Sequence, residues 1–321
     1  WRVDTQGSKD GVSFFQEGSV WTFSTLETNS TIAGHWTFEE GIPGETLSEG
    51  AQIVDKSGNN RHLYLVQRQQ EGGGVWPESK YDHPNPAYGT TASYYGQAAA
   101  QLKLKPGHLF GGNPVGSGIS LDASDSITIE AVIKIEPGVT SVGSIVAYHP
   151  SLEDQYWLGK AQDRGQQYYL RVEANGMLRL QFEDKNGNPY VIGSTNIRDG
   201  QWHHIAGIRD SAVGEIRLYV DGQIEGQITD PTQVIAPSGY FVVAGFDTNL
   251  NRDFAGNIDF VKITRAALTP AQFEQALPLP SNPYPADSAT GIGSGLCILS
   301  WTPAEGMVSQ EVVFGKDPSM Q

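Results

Sequence analysis

Alternation of apolar and polar positions dominates the middle of the chain. In residues 126–135, Ile127, Ile129, Ala131, Ile133 and Ile135 fall on one side and the intervening residues on the other. That period of two predicts a half-buried β-strand. Two shorter runs, residues 168–172 and 178–182, flank Asn175-Gly176 and predict a hairpin; Asn186-Gly187 and Asp221-Gly222 mark two further turns. Three such turns in succession favour an antiparallel meander over a βαβ pattern. On the strand that starts at Trp202, Trp202 and His204 share one face and His203 takes the other. One short helix is predicted near residue 270. Thr269 can cap it, Pro270 suits the first helical position, and Gln272 sits where a capping-box partner belongs. Phe273 and Leu277 would then face the strands.

Length and composition agree with this picture. A chain of 321 residues implies about two domains. Hydrophobic residues make up 38% and charged residues 18%, with 38 Gly and 18 Pro, a balance that suits many turns. The net charge of -15 argues against nucleic acid and anionic membranes as partners, because few basic groups are left to displace counterions. It leaves room for cations and neutral sugars. The single cysteine, Cys297, permits no intrachain disulfide. No apolar run approaches the length of about 18 residues that would span a membrane.

The ends read differently from the middle. Trp1-Arg2-Val3-Asp4 and residues 19–25 are strand-like, and the chain starts as if in the middle of a strand. Together they resemble the closing strands of a fibronectin-III-like domain. Residues 282–287 and Leu299-Ser300-Trp301-Thr302-Pro303 resemble the opening strands of that domain type. The organisation expected is thus 1–27, 28–277 and 278–321. Such half-domains expose unpaired edges. They could complement one another within the chain or between neighbouring copies.

A longer signature lies between them. Gly200-Gln201-Trp202-His203-His204-Ile205-Ala206-Gly207 is followed by Ile216-Arg217-Leu218-Tyr219-Val220-Asp221-Gly222. Gly34 to Glu40, Asp55 to Asn60, Tyr95-Gly96-Gln97-Ala98 and Phe254 to Ile263 accompany it in order. This set resembles laminin-G-like domains of the concanavalin-A-like superfamily. The resemblance implies an all-β fold, a two-sheet antiparallel jelly-roll sandwich, over residues 28–277. It also implies an extracellular recognition module, secreted or at the cell surface, whose partner is a glycan or an extracellular protein. A structural subunit of a fibre or repeat array is the alternative reading.

Two groups of residues could carry a ligand. Asp55, Asn59 and Asn60 place oxygens in one loop, and Asp259 or Glu39 could join if the first and last strands pair. Hard cations such as Ca²⁺ take six to eight such oxygens. Equally, Asp55 and Asn59 could cap the turn through their own backbone. The second group is aromatic: Trp76, Tyr81, His83, Tyr88, Tyr94 and Tyr95, in and after a Gly/Pro-rich stretch. Exposed aromatics stack on sugar rings; alternatively they pack as a long loop over the sandwich edge. Tyr148, His149, Tyr156 and Trp157 form a weaker set. Catalysis is not expected. Glu153-Asp154 and Glu183-Asp184 are adjacent pairs, which a strand sends to opposite faces, whereas a retaining glycosidase needs two carboxylates on one face. Gln201-Trp202-His203 matches the Gln-x-His pattern of related lyases only loosely.

Overall fold

The computed structural model describes residues 5–9, 12–16, 31–67, 78–97, 100–104, 125–149, 167–184, 186–233, 240–245, 252–276, 281–284 and 300–302. The chain forms two units, residues 1–30 and 31–321. In the first, β1 (Thr5–Lys9) pairs antiparallel with β2 (Val12–Gln16). The strands expected at residues 1–4 and 19–25 lie outside the described residues, and the ladder that forms lies between them.

The second unit contains two large sheets in which every pairing is antiparallel. One runs β13 (Tyr190–Ile192), β12 (Leu178–Glu183), β11 (Gln167–Val172), β10 (Gly143–His149), β17 (Tyr240–Val243), β8 (Ala100–Leu104), β5 (Leu63–Gln67), β4 (Gln52–Ile53). The other runs β16 (Gln223–Thr229), β15 (Glu215–Val220), β14 (Trp202–Asp210), β9 (Ile127–Lys134), β18 (Ala255–Thr264), β7 (Ser93–Gln97), β6 (Lys80–Asp82). β3 (Ile32–Trp36) also pairs with β18. Further on, β19 (Ser281–Tyr284) pairs with β20 (Ser300–Thr302), in the region expected to hold opening strands. No α-helix occurs among the described residues, so none is long and apolar enough to cross a membrane.

The sheets face each other across one core. Ile127, Ile129, Ala131, Ile133 and Ile135 all enter it, as their alternation predicts. Leu170, Leu178, Leu180 and Phe182 meet them from the other sheet. Trp36 stacks on Phe241 at 5.4 Å across the same gap. Close approach demands small residues at the contact. A Cβ on Gly207 of β14 would stand 2.8 Å from Leu180 of β12.

β9 is not half-buried as expected; both of its faces are covered. Its outward side is roofed by residues 266–276. Thr128 Oγ1 donates to the Ala266 carbonyl at 2.6 Å and accepts the Leu268 N–H at 3.0 Å. Glu130 Oε1 accepts the Glu274 N–H at 2.7 Å and lies 3.2 Å from His204 Nε2. Phe273 stacks on His204 at 5.5 Å and packs with Ala206, Ile208 and Tyr219.

That packing also corrects the helix expectation. Only a single 3₁₀ turn, Pro270–Gln272, forms. Gln272 Oε1 does accept the Thr269 N–H, but Phe273 leaves helical geometry at ψ 159° to seat its ring. Tertiary burial thus overrides the capping signal. Leu277 lies outside the described residues.

The expected turns are present. Asp221 (φ 50°) and Gly222 (φ 73°) both take positive φ, as a two-residue turn between twisted strands requires. Asp221 also anchors β14: its carboxylate accepts the His204 N–H at 2.9 Å and holds His203 Nδ1 at 2.8 Å. His203 Nε2 lies 3.2 Å from Asp199. The bond to Asp221 is the main cause that raises the His203 pKa, against the effect of burial. The signature histidine therefore clamps strand ends.

The buried charge of Arg209 is paired. Arg209 is 1% exposed; its Nε donates to Asp230 at 2.6 Å and its Nη groups donate to the carbonyls of Asp125, Thr232 and Gln233. Removing one partner of such a pair strands the other in a low dielectric. Asp230→Ala is expected to cost about 3–5 kcal/mol in urea unfolding. A loss below about 1 kcal/mol would contradict this account of Arg209.

Candidate functional site

The hairpin β11–β12 and its neighbour β13 turn one face inward and one outward. Tyr168, Leu170 and Val172 go to the core with Leu178, Leu180 and Phe182. Period two then sends Tyr169, Arg171, Arg179, Gln181 and Glu183 outward. Register lines them up in rungs. Tyr190, Gln181 and Tyr169 are opposite one another, and so are Ile192, Arg179 and Arg171.

The outward side chains form a connected layer. Gln181 Oε1 accepts from both Tyr169 Oη and Arg179 Nη2, while its Nε2 donates to Glu183 at 3.1 Å. Glu173 takes Arg171 Nε at 2.8 Å and Nη2 at 2.7 Å, with Arg179 Nη1 at 3.6 Å. The Arg179 guanidinium lies 3.8 Å from the Tyr190 ring centroid; that of Arg171 lies 4.6 Å from the Tyr169 ring. Arg252 stands in the field of Arg171 and Arg179, which, after burial, lowers its pKa. Burial raises the Tyr169 pKa, against the pull of these three arginines. The rim towards β13 is open, with Tyr190 45% and Ile192 41% exposed, whereas Tyr169, Arg171 and Gln181 are buried. A flat aromatic beside fixed donors and acceptors is what a sugar ring and its hydroxyls need. These residues were within reach of the sequence: the alternation that puts leucines inward puts Tyr169, Arg171, Arg179 and Gln181 outward.

The aromatic set is divided by the fold. Tyr81 (6% exposed) and Tyr94 (0%) sit in the core, and the Tyr94 hydroxyl is 3.2 Å from Ser79 Oγ. Tyr88 stacks over His204 at 6.4 Å and meets Phe260 edge-on at 5.3 Å. Tyr95 is half-buried under Lys80, 5.2 Å from its ring, and His83 is exposed. Trp76 lies outside the described residues, as do Tyr156 and Trp157. Tyr148 is buried and stacked on Tyr168.

The oxygen cluster closes a turn. Asp55 Oδ1 accepts the N–H groups of His35 (3.0 Å) and Ser57 (2.9 Å), and Oδ2 accepts that of Arg61 (3.0 Å). Asn59 Nδ2 donates to the Ile32 carbonyl at 2.7 Å. Asn60 holds the loop at φ 57°. First and last strands do pair, since β3 lies on β18. Yet Asp259 accepts from the Asn85 N–H and Thr90 Oγ1, and Glu39 accepts from Thr37 Oγ1 and faces Lys56 at 4.0 Å. Among the described residues, no three His, Cys, Asp or Glu side chains converge to hold a metal ion. Both Asp55 oxygens thus accept backbone N–H groups, and Asp259 and Glu39 each have partners of their own.

A family model described as the concanavalin A-like lectin/glucanases superfamily (Laminin_G_3) matches residues 111–273. No curated protein matches the chain. Among solved structures, domain 4 of AbnA, an extracellular GH43 arabinanase from Geobacillus stearothermophilus in complex with arabinotriose, is similar at 16% identity and TM-score 0.48, over 75% of this chain and 96% of that one. CBM40 of the Ruminococcus gnavus IT-sialidase, bound to alpha2,3 sialyllactose, is similar at 14% identity and TM-score 0.40, over 50% and 88%. Domains LG4-5 of the mouse laminin alpha1 chain are similar at 15% identity and TM-score 0.35, over 50% and 43%.

Two outcomes follow from the acidic residues. Asp55→Ala orphans three backbone N–H groups, so stability should fall by roughly 1–3 kcal/mol, equally with and without EDTA. A loss that appears only when chelator is absent would instead put a cation at Asp55. Burial pushes the Asp259 carboxyl from 3.8 up to about 7, with the Glu39 charge adding to it and the bonds from Thr90 and Asn85 opposing it. The folded state therefore holds this proton more tightly than the unfolded state. Its contribution is fully present below 3.8 and is lost as pH rises through about 7. His203, also raised, acts in the same direction above its ordinary value of 6.5. Asp259→Asn should flatten the fall in Tm between pH 5 and 8 and stabilise the protein at pH 8. An unchanged slope would contradict the assignment.

Proposed function

The chain belongs to the concanavalin A-like lectin/glucanases superfamily, and on that premise we propose that it is a non-catalytic carbohydrate-recognition module of a secreted or cell-surface protein. The observation that carries this reading is the outward face of β11–β13. There an exposed tyrosine, Tyr190, adjoins a fixed layer of amide, hydroxyl and guanidinium groups. Stacking on one ring supplies contact area, and the polar layer reads hydroxyl positions.

The carboxylates of the same face support binding over hydrolysis. Glu173 is taken by Arg171, and Glu183 accepts from Gln181. A hydrolase of this shape would need one free acid and one free base on either side of the bond.

Titration calorimetry against a panel of oligosaccharides tests the reading. Tyr190→Ala should weaken binding of the recognised glycan about tenfold, equivalent to about 1.4 kcal/mol, with Tm unchanged. Full affinity in the variant, or new reducing ends released from the glycan by the native chain, would contradict it.

A further inference from the structure

We propose that Glu225 is a positioning residue for the glycan-binding face: a bulge in β16 aims its carboxylate across the sandwich edge, where it fixes the strand that carries Tyr190. This deepens the glycan-binding reading and rests on it.

The need for a clamp lies in β13. It is three residues long and outermost in its sheet, and among the described residues only β12 ladders with it. Short segments with few buried apolar contacts are the ones that open locally. Val191 alone of the three enters the core; Tyr190 and Ile192 are exposed. The place of the Tyr190 ring is therefore set by its backbone and by the Arg179 guanidinium against it. Recognition by stacking needs that ring held before the sugar arrives.

The bulge supplies the clamp. Leu218 of β15 is opposite Gly226 of β16, but its neighbour Tyr219 is opposite Ile224, so Glu225 is the extra residue. Such a residue leaves the ladder, and its side chain is re-aimed. Gly226 lets β16 close on β13, because a Cβ there would stand 2.5 Å from Val191 Cγ2. Glu225 then reaches the chain just beyond β13. Its Oε2 accepts the Ser194 N–H at 2.5 Å, the Ser194 hydroxyl at 2.9 Å and the Thr195 N–H at 2.9 Å. Its Oε1 accepts the Thr195 hydroxyl at 2.7 Å. Burial raises the Glu225 carboxyl, but the bonds from Thr195 and Ser194 outweigh it and hold its pKa below the ordinary 4.5. The group is thus a carboxylate at neutral pH, an acceptor on both oxygens.

The clamped pair directly follows Gly193, whose N–H donates to the Leu178 carbonyl at 2.9 Å. Tyr190 lies three residues before that bond. Release of Ser194 and Thr195 would therefore loosen β13 from its far end towards Tyr190.

Two measurements on the full chain test this. Hydrogen exchange needs no ligand. Glu225→Gln keeps the side chain's length but has one acceptor oxygen and turns an NH₂ group towards N–H donors. Exchange at Val191 and Gly193 should quicken about tenfold or more, while the amides of β9 and β14 stay unchanged. Calorimetry uses the trisaccharides of arabinose, galactose, glucose and xylose. For the tightest of them, Glu225→Gln should weaken binding at least about threefold. Added to Tyr190→Ala it should cost nothing more, because both changes act through one ring. Unchanged exchange at Val191 and Gly193, exchange quickened equally in both sheets, or losses that add in the double variant would overturn the positioning role and leave the glycan reading intact. No binding of any trisaccharide by the native chain would overturn both.

Discussion

The sandwich depends on the hydrogen-bond ladder of β18. A buried strand must satisfy its backbone on both edges, because an unpaired N–H or C=O away from water is costly. β18 meets that demand with three partners. β9 runs along one edge, while β7 and then β3 share the other. One strand late in the chain thereby joins strands from its beginning and middle. Its side chains divide accordingly. Ile258, Val261 and Ile263 enter the core, while Phe260 and Lys262 meet the covering layer, Phe260 against Tyr88 and Lys262 with Glu274 at 2.7 Å. Little freedom is left in this half of the molecule, and the proposed recognition face lies on the opposite sheet.

The two outward faces carry different polar layers. Above β9 and β14, Thr128 and His204 find partners beneath the segment 266–276, while among the described residues Glu130 Oε2 and, opposite Thr128, Thr264 Oγ1 are left open. Those contacts hold the roof down. On β11 and β12 the layer is equally dense, with Arg171 Nη1 and Arg179 Nε buried and unpaired and the two arginines directly opposite one another. Satisfied buried networks rigidify a core and specify one arrangement of it. Asp55 likewise closes its turn through three N–H bonds.

Much of the fold was legible because alternation and turn chemistry act locally. The isoleucines of β9, the Asn175-Gly176 hairpin and the Asp221-Gly222 turn depend on near neighbours alone. What failed depended on distant contacts. The predicted helix at Thr269 yielded to the seating of Phe273 on β14, and the half-buried β9 acquired a roof from residues 140 positions away. The candidate site was less legible for the same reason. Tyr81 and Tyr94 look like loop aromatics in the sequence, but β6 and β7 turn them inward. Arg171 and Arg179 look like ordinary surface charges until register sets them opposite one another.

The central claim is that ligand binds the outward face of β11–β13 rather than the loop around Tyr88. Amide chemical-shift mapping during titration with the bound oligosaccharide tests it most directly. The account predicts shifts concentrated at residues 169–173, 178–183 and 190–193, with those at 83–95 unchanged. Shifts centred on His83, Tyr88 and Tyr95, with Arg171, Arg179 and Tyr190 unaffected, would contradict it.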